Sequence, residues 1–222
     1  MRRWKWTIRL GGLLAAATLV IGLLHLPAAR PLLALVGACP VGRASATEIE
    51  DARRIALRSL RGSTRAPVRP ALRFELERTT LDEVRGWAQA RAIACDLSRE
   101  STLLVCSRVP ADALASDALQ PIDEVAFVFR LRDRRLVNLT TLTTGVAPGR
   151  AADSFAAITG ALASALGSPE ASRVPPRQWD GTRPVFIRYR YADYIADVSA
   201  MRLPGRGVVV REQYMSASEN GS

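Results

Sequence analysis

The first pattern along the chain is a gathering of apolar positions over residues 10–26, interrupted only by Thr18, His25 and three glycines. Residues 1–9 ahead of it carry Arg2, Arg3, Lys5 and Arg9, with Trp4 and Trp6 among them. A helix crosses the hydrocarbon with about 17–25 apolar residues, tryptophan favours the headgroup level, and basic residues stay on the cytoplasmic side. The pattern therefore predicts a cytoplasmic basic segment (1–9), a transmembrane helix (10–26), a juxtamembrane apolar linker (27–46), an exported domain (47–215) and a short flexible tail (216–222). His25 falls near the far end of the span, at the outer interface. Two rivals share the same start. Ala44-Ser45-Ala46 has the form of a signal-peptidase site, and Val36-Gly37-Ala38-Cys39 loosely matches a lipobox, which would make Cys39 a lipidated residue.

Beyond residue 46 the spacing changes to that of a folded domain. Thr47 and Glu50 form a capping box, and Ile49, Ala52, Ile55, Ala56 and Leu60 fall on one helical face before Gly62. Leu72, Phe74 and Leu76 alternate with charged residues as a half-buried strand does. Thr80 and Glu83 open a second helix, with Val84, Trp87, Ala88 and Arg91 on one side. Residues 93–97 and 103–109 read as a hairpin. A turn centred on Glu100-Ser101 sets Cys95 opposite Cys106, as a cross-strand disulfide requires. After a loop with one helical turn, Val125, Phe127, Phe129 and Leu131 alternate, and a hairpin at 132–135 leads into a strand over 136–143. Ala151, Phe155, Ile158, Leu162 and Ala165 step by three and four along a third helix that Gly167 closes. The end of the chain is β, with Val185, Ile187, Tyr189 and Tyr191 alternating and a turn at 205–207 before 208–214. This order predicts an α+β fold, an antiparallel sheet with helices packed on one face. The units 72–109 and 124–214 are candidates for two related halves, although no residue pattern recurs between them.

Composition changes the picture mainly by exclusion. The chain of 222 residues carries a formal charge of +10, but five of its 31 basic residues lie in the first 30 residues, where there is no acid, leaving 26 against 21 acids from Arg43 onward, an excess of +5. That balance is common on solvated surfaces, and nucleic acid is not expected as a partner. Lys5 is the only lysine and His25 the only histidine. The domain thus lacks the residues for Schiff-base chemistry, a phosphate-loop lysine, a Ser-His-Asp or Cys-His arrangement, or an imidazole-bound zinc. No cofactor and no metal are expected. Outside the cytoplasm the Cys95–Cys106 pair would be oxidised.

The most distinctive surface stretch is Arg188-Tyr189-Arg190-Tyr191-Ala192-Asp193-Tyr194. As a ligand site, Arg188 and Arg190 would hold phosphates or carboxylates and Tyr191 and Tyr194 would stack on sugars or bases. As structure, alternation sends tyrosines to the core and arginines to water. The acid pairs Asp82/Glu83, Asp123/Glu124 and Asp193/Asp197 leave carboxylate-pair hydrolysis open. Thr79-Thr80-Leu81-Asp82-Glu83-Val84 resembles the helix opening of small envelope lipoproteins of the outer-membrane assembly type, which set helices beside a short antiparallel sheet. The glycine of that pattern is replaced by Glu77-Arg78, and the resemblance carries over no site residue. The leading expectation is a membrane-anchored envelope module that binds a protein or an envelope polymer. An exported hydrolase using two carboxylates and a passive assembly subunit are the alternatives.

Overall fold

A computed structural model describes residues 45–118, 120–176 and 178–218. The expected transmembrane helix and Cys39 lie outside the described residues.

Three helices and a long antiparallel sheet make up the domain. Helix α1 (Ala46–Leu60) is followed by two short strands, β1 (Pro70–Ala71) and β2 (Phe74–Glu75), and by helix α2 (Leu81–Gln89). Strands β3 (Cys95–Ser98), β4 (Leu103–Val109), β5 (Ile122–Phe129) and β6 (Leu136–Val146) come next, then helix α3 (Pro148–Leu166). Strands β7 (Ala171–Arg173), β8 (Val185–Arg190), β9 (Tyr194–Leu203) and β10 (Gly207–Ser216) complete it. Strands β3 to β10 form one eight-stranded sheet in the order β3-β4-β5-β6-β10-β9-β8-β7, antiparallel throughout.

That order consists of two four-stranded meanders, each preceded by a helix, meeting where β6 pairs with β10. The last strand of one helix-and-meander unit is thus bonded to the last strand of the other. The two helix-and-meander units span 81–146 and 148–216, bounds other than those suggested by sequence. Their boundaries were hidden because β7 is only three residues long and the chain around 191–194 reads as one aromatic segment, so β8 and β9 were not separated.

Helices α2 and α3 pack on one face of this sheet. Thr80 caps α2 through a complete capping box, and Val84, Trp87 and Ala88 turn inward. Phe74, Trp87 and Phe127 stack edge to face, with ring centroids 5.1–6.0 Å apart. Phe155, Ile158 and Leu162 of α3 join the same core as Val198 of β9 and Val210 of β10. At the far edge, the β3–β4 register sets Cys95 against Cys106, and the two form a disulfide.

Helix α1 departs from the expected layering. Along β9, Tyr194, Ala196, Val198 and Ala200 belong to the main core, whereas Ile195 packs with Leu57 and Ala217 in a separate small cluster. Successive strand residues point to opposite faces, so α1 lies on the face opposite α2 and α3. Its cap and stripe differ as well. Ser45 is the cap, in a capping box with Glu48, two residues upstream of Thr47 and Glu50. Ile55 is 69% exposed, and the buried positions are Ala46 and Leu57. The inward side of the helix carries Arg53 where an apolar residue would be expected. Similarly, Leu72–Leu76 is not one strand: Leu72 has φ 56° and turns the chain between β1 and β2.

Candidate arginine cleft

The inward face of α1 does not seal against the sheet along its whole length. Between the helix, the β5–β6 hairpin and the end of β10 lies a cleft of about 350 Å³. Arg53, Arg54 and Arg58 line it from α1 and Arg61 from the cap that follows, Arg130 and Arg132 from the hairpin, and Ser216 and Ser218 from the end of β10 and just beyond it. Glu50 is the one carboxylate on these walls, and Leu57 and Val137 supply apolar lining.

Arg53 is held there by an unfinished strand ladder. The β6–β10 register ends at Asn138 opposite Met215, so the next carbonyls, of Val137 and Ser216, lack strand partners across that pair. The Arg53 Nη2 donates to both, at 3.2 and 2.7 Å. Its Nε is buried and has no hydrogen-bond partner. Burial pushes the guanidinium pKa down to about 10; Glu50 and Glu77 oppose that shift, while Arg130 and Arg61 add to it. A guanidinium does not lose its proton at ordinary pH, so the shift measures how poorly this cation is compensated.

Arg130, by contrast, is fully matched. Its Nη2 donates to Glu77 Oε1 at 3.0 Å and its Nη1 to Asp133 Oδ2 at 2.9 Å. Glu77 also accepts from Arg69 at 3.1 Å, Ser216 Oγ at 2.8 Å and Ser218 Oγ at 3.3 Å. Glu50 accepts the Leu131 amide at 3.1 Å and so fixes α1 to the hairpin. Asp51 pairs with Arg54 at the surface, 3.0 Å away. Among the described residues, Glu77, Asp133 and Asp51 stand with Glu50 as the carboxylates near the six arginines of the cleft.

The aromatic and basic stretch lies elsewhere, at the ends of β8 and β9. The Arg188 Nε donates to Asp197 Oδ2 at 2.8 Å, and Arg190 pairs with Glu170 at 3.3 Å. Tyr191 donates to Leu166 O and Tyr189 to Gly167 O, so the two hydroxyls satisfy carbonyls at the end of α3. Tyr194 is buried, and its hydroxyl donates to Pro70 O. The structure brings Tyr191 and Tyr194 together, ring centroids 6.5 Å apart, with each hydroxyl engaged inside the fold.

The chain matches no known protein family, no characterised protein and no solved structure. Function therefore has to be argued from its own geometry.

None of the three acid pairs lines the arginine cleft. Glu83 serves the α2 capping box, which lowers its pKa through the Thr80 backbone and side-chain hydrogen bonds. Asp123 accepts the amide and hydroxyl of Thr144 at 2.6 and 2.8 Å. Asp193 accepts the Ala66 amide at 2.9 Å. The carboxyl with a raised pKa is one that sequence reasoning missed, Glu212 of β10. It is buried, its shift comes from desolvation, and Tyr214, Ser116 and Thr141 donate to it at 2.6, 3.2 and 3.3 Å. These three hydroxyls satisfy it within the core.

The cleft was missed for a different reason. Its arginines come from two distant segments, residues 53–61 and 130–132, and its hydroxyls from a third, the end of β10. The local signal was Arg53 itself, seven residues after Ala46 and four before Leu57 on the buried side of α1.

Proposed function

We propose that the chain is a binding module of the cell envelope, held in the membrane by residues 10–26 with its N-terminus in the cytoplasm, and that its exported domain takes an anionic protein or envelope polymer into the arginine cleft. The observation that carries this reading is Arg53, a poorly compensated cation at the base of a cleft rich in arginine. A domain that kept such a group for stability alone would be expected to pair it with a carboxylate, as it does for Arg130. The Cys95–Cys106 disulfide supports an oxidising compartment.

The full chain in maltoside micelles should bind fluorescent polyglutamate or polyphosphate in a salt-dependent way, and the exposed-wall variant R54Q/R58Q/R132Q should bind neither. Equal binding by the variant refutes the site. Protease added outside sealed membranes should digest residues 47–215 and leave a fragment that begins at Met1. A mature chain beginning at Cys39 with added lipid mass would replace the anchor with a lipid.

A further inference from the structure

We propose that the outward face of α1 joins the chain to a second copy of itself, through an antiparallel pair of α1 helices with its two-fold axis at Ile55. Ile55 is 69% exposed, more than any other large hydrophobic side chain among the described residues. It stands near the middle of a helix whose other side is docked on the sheet through Leu57. Asp51, Ala52, Arg58 and Ser59, which share its face at steps of three and four, are all exposed. The proposal concerns the side of α1 turned away from the sheet and does not rest on the anion-binding reading above.

Charge selects the occupant. The helical step of about 100° per residue sets Asp51 and Arg58 on one flank of Ile55 and Ala52 and Ser59 on the other, one of each pair a turn before it and one a turn after. A two-fold axis at Ile55 reverses the second helix, so each flank meets the same flank of the partner running the other way. Asp51 of each protomer then faces Arg58 of the other, twice over, and Ala52 faces Ser59. The small residues let the backbones come within the roughly 8–10 Å of close helix packing, where the two Ile55 side chains meet. A parallel pair would instead set Asp51 against Asp51 and Arg58 against Arg58. Asp51 pairs with Arg54 at 3.0 Å within the chain, but both side chains are about half exposed and the carboxylate has a second oxygen to offer.

The test is sedimentation equilibrium of the full chain in density-matched maltoside micelles, followed by cysteine cross-linking. The unaltered chain is expected to form a dimer, which I55D, an acid at an exposed position outside the core, should weaken at least about tenfold. D51R and R58D should each weaken it by about tenfold by setting like charges across the axis, and D51R/R58D together should restore it. In chains that also carry C39A, I55C should cross-link to itself under mild oxidation. A52C and S59C should cross-link to each other when the two chains are mixed, and not when either is alone. A chain that stays monomeric up to about 100 μM overturns the proposal, as does a dimer that I55D leaves unchanged, since it is held elsewhere. Self-linking of A52C, or failure of D51R/R58D to restore the dimer, overturns the antiparallel register.

Discussion

The Cys95–Cys106 bond fastens an edge strand, and its contribution to stability can be estimated from the fold. Strand β3 has one neighbour, β4, with which it shares four register pairs, and Asp96 and Leu97 at its middle are exposed. Little else in β3 holds it down. The bond closes a loop across a sequence separation of 11, for which the chain-entropy relation gives about 3 kcal/mol at room temperature. Reduction is the cleanest perturbation, because it breaks the cross-link without removing either side chain from the fully buried Cys106 site. Urea unfolding of the full chain in micelles, with and without a phosphine reductant, should show a loss of about 3 kcal/mol. With a urea m-value of about 2 kcal/mol/M, the midpoint falls by about 1.5 M. A loss below about 1 kcal/mol would refute the reasoning. It would mean that β3 frays before the rest of the sheet unfolds, so that the cross-link constrains nothing in the cooperative transition.

Two further predictions concern buried positions. Burial raises the Glu212 pKa, so the stabilisation from its protonated form is complete below the ordinary carboxyl value of 4.5 and is lost as pH rises through the raised folded value. E212Q, neutral throughout, should therefore gain on the unaltered chain in urea unfolding as pH rises above 4.5; a difference that stays constant with pH refutes it. At Gly62, an added Cβ would lie 2.1 Å from the Arg190 carbonyl oxygen, a backbone atom that cannot swing aside. G62A should cost about 1–3 kcal/mol and lower the melting temperature by several degrees, and an unchanged melting curve would show that the junction between α1 and β8 yields.

Local chemistry was legible where one segment held the whole signal. Thr80 and Glu83 marked the start of α2, the stepping of Phe155, Ile158 and Leu162 marked α3, and the turn at Glu100-Ser101 fixed the cysteine register. Helix α1 was ambiguous because two overlapping capping boxes, Ser45 to Glu48 and Thr47 to Glu50, are both correctly spaced. Choosing between them depends on what the helix docks against, which hydropathy does not encode. The alternation of Tyr194, Ala196, Val198 and Ala200 was present, but its small side chains gave β9 a weak signal.

The cleft follows from the same choice of face. Had α1 joined α2 and α3, an apolar stripe containing Ile55 would have served it, and Arg53 would have pointed to water. On the opposite face the helix meets the fraying end of the β6–β10 ladder, where two carbonyls need a donor and an arginine supplies it. One arginine in that position answers a structural demand. It does not account for Arg54, Arg58, Arg61 and Arg132 gathered around the same opening, because each added cation raises the electrostatic cost of burying the first.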